Sequence, residues 1–277
     1  MGLAGSQPAR AQAAGKVPYG SNTAAGRYLQ VGDAKIYYEI YGSGGTTLVL
    51  LHGGLYGYID EFAELIGELA KTRRVIAIAT RGHGKSELGK QEFSYGLFSD
   101  DALAVVRHET QGRVDVLGFS DGAIASYTLT VRHPELVRRL VAIGGPRGSR
   151  DWSQQAQREL RESKATDVER DSPGFVADRK KLMPEPQRWT EFNEKLLKLW
   201  SAPVYVTNEQ MKSIALPTLI VAGDHDPYNQ METFVETYKM LPQGEITLIP
   251  GCGHVVLACK AKFTIEAVED FLNEERK

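Results

Sequence analysis

Gly118-Phe119-Ser120-Asp121-Gly122 sets a serine between two glycines. An apolar run, Val114–Leu117, precedes it, and a stretch rich in Ala and Ile follows. In a strand–turn–helix context, G-x-S-x-G carries its serine on a sharp turn with the hydroxyl projecting above the sheet. Bulky side chains two residues to either side would collide there, so both positions require glycine. A serine hydroxyl is a poor nucleophile until a base takes its proton. His254, in Pro250-Gly251-Cys252-Gly253-His254, directly follows the apolar run Ile246–Ile249. The glycines let that loop swing an imidazole over a sheet edge. A base needs a carboxylate to fix its tautomer and stabilise its charge. The run Leu219–Ala222 ends in Gly223-Asp224-His225-Asp226-Pro227, which offers either Asp224 or Asp226, with Asp226 somewhat ahead. Such a relay loses rate as its base becomes protonated, below roughly pH 6–7.

The rest of the chain must bring these pieces together. Gly26–Val31 and Ala34–Tyr41 are predicted strands joined by the turn Gly32-Asp33. Thr46–Leu51 and Val75–Ala79 are short continuous apolar runs, as in strands buried on both faces. Val114–Leu117, Leu140–Ile143, Leu219–Ala222 and Ile246–Ile249 complete the strands. Helices are predicted over 59–71, 97–108, 121–133, 230–241 and 262–274. The alternation implies an α/β fold: a mostly parallel sheet, helices on both faces, and an antiparallel edge from the first two strands. Residues 147–212 break the rhythm. They are charged and lack a convincing strand, yet carry Trp152, Phe175, Trp189, Phe192 and Trp200. We read them as a helical cap inserted into a core of 27–146 and 213–277. Ligand sites in open α/β sheets lie at the carboxyl ends of the strands, where this insertion leaves the sheet.

Composition narrows the function classes. The chain has 277 residues with a formal net charge of -2, and its basic residues form no stripe, so nucleic acid is not an expected partner. No apolar run approaches the ~18 residues of a membrane span. The six histidines are spread along the chain, so no metal cluster is apparent, and no cofactor is expected. The two cysteines, Cys252 and Cys259, fit no framework or zinc pattern and are expected as free thiols. Residues 1–26, rich in Ala, Gly, Ser and Pro, are expected to be disordered or loosely packed. Ala11-Gln12-Ala13 has the small-x-small form of a signal-peptidase site without a proper apolar region before it. Periplasmic or secreted and cytoplasmic locations both stay open. Gly84-Lys85-Ser86 imitates the end of a phosphate loop, but the first glycine of that motif would fall on Ala79.

Taken together, His52-Gly53-Gly54, Arg81-Gly82-His83-Gly84-Lys85-Ser86, the Gly118–Gly122 turn, Gly223-Asp224-His225-Asp226 and Gly253-His254 resemble capped serine esterases and peptidases of the α/β-hydrolase superfamily. The serine turn and its surroundings are similar to valacyclovirase-like hydrolases. The order Ser, Asp, His is the order of that fold. The resemblance covers residues 27–275 and implies Asp226 over Asp224 as the acid. It also implies an oxyanion hole from the N–H of Asp121 and that of Gly54, with Leu55 as the alternative. His52 is then a structural loop residue, and the Asp121 carboxylate faces solvent. Phe119, Trp152, Phe175, Trp189 and Trp200 are the candidate substrate contacts. The expected reaction is hydrolysis of a small-molecule carboxylic ester, or an amide, by a monomer or homodimer. Carbon–carbon bond hydrolysis, acyl transfer and perhydrolysis share the triad, and a non-catalytic ligand-binding homologue is the alternative of another class. Two positions depart from the familiar pattern: Ala79-Thr80 where an acidic residue usually opens the arginine motif, and Ala123 where a third glycine is common.

Overall fold

The computed structural model describes residues 17–274. Eight strands form one sheet: β1 Gly26–Val31, β2 Ala34–Tyr41, β3 Leu48–Leu51, β4 Val75–Ile78, β5 Val114–Phe119, β6 Val137–Ile143, β7 Thr218–Gly223 and β8 Gly244–Ile249. Their order is β1-β2-β4-β3-β5-β6-β7-β8. From β4 to β8 every pairing is parallel, while β1 and β2 add the antiparallel edge. The apolar runs explain this arrangement. All four residues of β3 and of β4 are buried. Successive side chains of a strand point to opposite faces, so Leu48 and Leu50 join one apolar layer and Val49 and Leu51 the other. Only a sheet covered on both faces can bury such runs.

The covering helices follow from the loops between strands. α1 is Ala63–Leu69, reached through a short 3₁₀ turn at Ile59–Phe62. α2 is Tyr95–Glu109, whose first turn is capped by the Ser94 hydroxyl accepting from Leu97 N–H. α3 is Asp121–Arg132. Between β6 and β7 come α4 Gln154–Glu162, α5 Asp167–Asp171, α6 Pro173–Lys180, α7 Trp189–Trp200 and α8 Asn208–Ser213, with no strand among them. α9 Met231–Met240 follows β7; α10 Val256–Cys259 and α11 Ala261–Asn273 follow β8. α7 buries Trp189, Phe192, Leu196 and Leu199, the spacing of one helical face. Its Lys195 ammonium reaches back to the carbonyl of Gln91 at 2.9 Å, tying this stretch to the body. No helix of the described residues is long and apolar enough to cross a membrane.

The sheet order reverses direction at β3, which pairs with both β4 and β5. Loops leaving the carboxyl ends of β3 and β5 therefore diverge side by side. That crevice is where open α/β sheets bind ligands. The loop after β3 carries His52-Gly53-Gly54-Leu55, and Ser120 follows β5.

Two sequence expectations are corrected. Part of the N-terminal segment, including Ala11-Gln12-Ala13, lies outside the described residues, but residues 17–25 are not loose. The buried Glu39 carboxylate accepts from Gly20 N–H at 2.7 Å and Asn22 N–H at 2.8 Å, which pins them to β2. Low hydrophobicity suggested disorder, but one buried acceptor on a strand supplies the anchor. The cysteines are not free thiols: Cys252 and Cys259 form a disulfide, because α10 turns the chain back at once. The bond brackets His254. Closing so short a loop constrains the unfolded chain by roughly 2–3 kcal/mol in the loop-entropy picture. We therefore expect Cys252→Ser/Cys259→Ser to lose about that much in urea unfolding, with reductant producing the same loss in the parent protein and none in the variant.

Candidate active site

Ser120 sits between β5 and α3 with φ 52° and ψ -117°. Few non-glycine residues tolerate positive φ, at a cost of about 1–3 kcal/mol. The surroundings enforce it. A Cβ on Gly118 would lie 2.2 Å from the carbonyl oxygen of Gly122, and one on Gly122 would lie 1.9 Å from that of Leu51. Both glycines of the motif are thus required by contact, as the sequence argument held. Ser120 N–H donates to the Ile143 carbonyl at 2.8 Å, which fixes the turn against β6.

His254 arrives from the loop after β8. Its Nε2 lies 3.0 Å from Ser120 Oγ and its Nδ1 2.7 Å from Asp226 Oδ2. An ionised carboxylate only accepts hydrogen bonds, so the imidazole proton belongs on Nδ1 and Nε2 is left to accept from the serine. Asp226 comes from the loop after β7. Its Oδ1 accepts from the N–H groups of Tyr228 at 2.9 Å and Asn229 at 3.1 Å, and its Oδ2 accepts from Asn229 Nδ2 at 3.1 Å. Burial opposes its ionisation, but the facing His254 together with these donors outweighs burial and holds the carboxyl below its ordinary range. Asp224 is elsewhere: it contacts the exposed His225 ring at 2.7 Å and the Gly251 N–H at 2.6 Å, and not His254.

The loop after β3 runs beside the serine turn. Leu55 holds a positive φ of 47°. Gly53 N–H is already engaged, donating to Glu61 Oε1 at 2.6 Å. No hydrogen bond is formed by the N–H groups of Gly54, Leu55 or Asp121 among the described residues. His52 is buried; its Nε2 accepts from Thr80 N–H at 3.0 Å, so Nδ1–H donates to the Gly53 carbonyl at 2.7 Å. Burial lowers its pKa to about 4, which keeps it neutral. Thr80, which follows the departing Ala79, also sets its hydroxyl 2.9 Å from His83 Nδ1 and so links the two loop histidines. Ser86 of the imitation phosphate loop bonds to the Ala79 carbonyl, and no helix starts there.

Asp121 overturns one expectation. Its carboxylate is buried rather than solvent-facing, accepting from Tyr95 OH at 2.9 Å and from Trp200 Nε1 at 2.9 and 3.0 Å. Burial pushes its pKa up to about 6, against the two donors and the nearby His254. Trp200 closes over the serine turn from α7, and Trp152 packs near it at 6.4 Å between ring centroids. Phe119 lies 5.0 Å from the His254 ring. Phe175 packs against Tyr56, with 4.8 Å between the ring centroids. Trp189 does not reach the site: it is buried against Phe192 in the α7 core. A cavity of about 210 Å³ opens beside the loop after β3, lined by Leu55, Tyr56, Asn193, Leu197 and Trp200. Glu159, Glu162, Asp167 and Asp171 outnumber Lys164 and Arg170 around it. No group of three or more His, Cys, Asp or Glu is placed to hold a metal among the described residues.

Sequence reasoning missed Asn229, Tyr95 and Glu61. Asn229 had a local signal, a short amide side chain three residues after Asp226, suited to bonding back on it. Tyr95 and Glu61 had none, since their partners lie on other elements.

Comparison with known proteins places this geometry in context. The model of the alpha/beta hydrolase family matches residues 48–263. The chain is 22% identical over 273 residues to 2-(acetamidomethylene)succinate hydrolase of Mesorhizobium japonicum, covering 89% of this chain and 95% of that one. It is 26% identical over 272 residues to 2-hydroxymuconate semialdehyde hydrolase of a Pseudomonas strain, covering 87% and 92%. The fold is shared with the enol-lactonase of Burkholderia xenovorans at a TM-score of 0.70 and 19% identity, over 90% of this chain and all of that one (100%). With its eight-stranded sheet, its serine turn and a family match over most of its length, the chain belongs to the alpha/beta hydrolase family.

Proposed function

We propose that the protein is a serine hydrolase that cleaves a carboxylic ester through an acyl-enzyme. The observation that carries this reading is the unbroken relay from Ser120 Oγ through His254 to Asp226, at 3.0 and 2.7 Å. Its members come from the ends of three different parallel strands. In this reading Ser120 attacks the ester carbonyl while His254 Nε2 takes its proton. Asp226 stabilises the resulting imidazolium. The N–H groups of Asp121 and Gly54 hold the alkoxide, each such donor being worth ~3 kcal/mol in the transition state. Protonated His254 then gives its proton to the leaving alcohol, and water repeats the cycle on the acyl-enzyme. Residues 147–212 act as a cap over the core formed by 27–146 and 213–277, with Trp200 as its contact to the serine turn.

Charge supports an uncharged ester. Asp121 follows the nucleophile directly, and carboxylates predominate around the adjoining cavity. A substrate carboxylate entering there would meet like charge from Glu159 and Glu162, since Arg170 already pairs with Asp167 and Asp171. An amide would use the same atoms and remains the second substrate class.

A fluorophosphonate probe should add a single adduct to the intact protein, read by mass, and none to Ser120→Ala. Folded protein that takes no adduct would favour a ligand-binding homologue instead. Asp226→Asn should lower kcat/KM by about 10³–10⁴, while Asp224→Asn should stay within about threefold, since Asp224 touches only exposed or backbone groups. A larger loss in Asp224→Asn than in Asp226→Asn would overturn the assignment of the acid.

A further inference from the structure

We infer that Glu61 is a positioning residue for the oxyanion hole, its carboxyl group holding the peptide that precedes Gly54 in place. This deepens the serine-hydrolase reading and rests on it.

The geometry runs through two consecutive peptides. A trans peptide is planar, with its C=O and N–H on opposite sides. In the peptide joining His52 to Gly53, the N–H donates to Glu61 Oε1 at 2.6 Å. The opposite edge, the His52 carbonyl, is packed on the serine turn, where a Cβ on Gly122 would come within 2.6 Å of it. In the peptide joining Gly53 to Gly54, the carbonyl accepts from His52 Nδ1 at 2.7 Å. Its other edge, the Gly54 N–H, therefore points away from His52. Glu61 anchors the first peptide, and His52 the second. Gly57 closes the turn behind them: its N–H donates to the Gly54 carbonyl at 3.0 Å, and a Cβ there would sit 2.0 Å from the Gly53 carbonyl oxygen. Glu61 is the anchor contributed by a side chain from the 3₁₀ turn Ile59–Phe62, and no other role in the reaction uses it.

Its charge state follows from what faces it. Burial is the largest influence and raises its pKa, to about 8. The Gly53 N–H and Arg179, from α6, favour the ionised form; Asp60 beside it and Asp121 across the loop oppose it. Arg179 is partly committed elsewhere, donating to the Tyr56 carbonyl at 2.9 Å and to Asp60 at 3.3 Å. Below about pH 8 Glu61 carries its proton and is neutral, and it can still accept from Gly53. Above that it becomes an anion one residue from the donor meant to stabilise another anion. Fixed charge near a developing alkoxide acts strongly in a water-poor site. A histidine base alone leaves the alkaline side of a rate profile level once deprotonated. Glu61 adds a decline there.

The test is the pH dependence of p-nitrophenyl acetate hydrolysis from pH 6 to 10, with the Ser120→Ala rate subtracted. The parent protein should lose kcat above about pH 8. Glu61→Gln keeps an acceptor but cannot ionise: its kcat at pH 7 should stay within about threefold, with the alkaline fall gone. Glu61→Leu removes the anchor: kcat at pH 7 should drop about 10- to 100-fold with KM within about threefold, and fluorophosphonate labelling should slow in step. If Glu61→Leu does not fold, by circular dichroism, the glutamine variant decides alone. An unchanged alkaline fall in Glu61→Gln, or parent-like kcat in a folded Glu61→Leu, would overturn the proposal. A parent protein that neither hydrolyses the ester nor takes the probe would fail the reading beneath it, before Glu61 is tested.

Discussion

The structure of this site depends on one close approach, that of the first turn of α3 to the end of β3. Gly122 lies so near the Leu51 and His52 carbonyls that a single added carbon would drive the two segments apart. Everything around the serine follows from that contact. Ser120 takes its positive φ at this approach, and Asp121 comes to lie beside the loop carrying Gly54. A Cβ on Gly54 would meet the Asp121 carboxylate at 2.1 Å, so the same closeness continues one layer out. The unfavourable backbone at Ser120 and Leu55 is offset by buried packing on both sides of the sheet.

A second constraint is the disposition of carboxyl groups. Four acids near the loops are treated differently by their surroundings. Asp226 is buried but richly hydrogen-bonded and stays ionised. Asp224 is half-buried and pairs with the exposed His225. Asp121 is buried with two neutral donors and shifts upward. Glu61 has one backbone donor and two like charges for neighbours and shifts further. Number of donors and sign of neighbours, more than burial alone, separate them.

Much of this was legible in the chain. Apolar runs located β3 to β7 because nearly full burial leaves no room for alternation. The serine turn was legible because its glycines answer to a steric demand that sequence records directly. The acid was narrowed to two residues, since both occupy the same loop and only the direction each side chain takes separates them. What stayed hidden depends on distant partners. Asp121 looked solvent-facing because Tyr95 and Trp200, its donors, lie on helices far away in sequence. The cysteines looked free because seven residues of separation say nothing until α10 folds the chain back. Trp189 looked like a site aromatic because a cap and a core draw on the same residue types. Helix faces inside 147–212 could not be assigned without knowing where the body lay.

The sheet order has a consequence for the relay. The serine turn and the loop carrying Gly54 lie on neighbouring strands, and Ser120 N–H is held by the Ile143 carbonyl of β6. The imidazole is delivered by the loop after β8, on the far edge of the sheet and beyond the long helical stretch and β7 in the chain. Ser120 and His254 thus meet at 3.0 Å across an edge strand two places from β6, so loosening of that edge alone would part the imidazole from the serine while the serine turn kept its own backbone contacts.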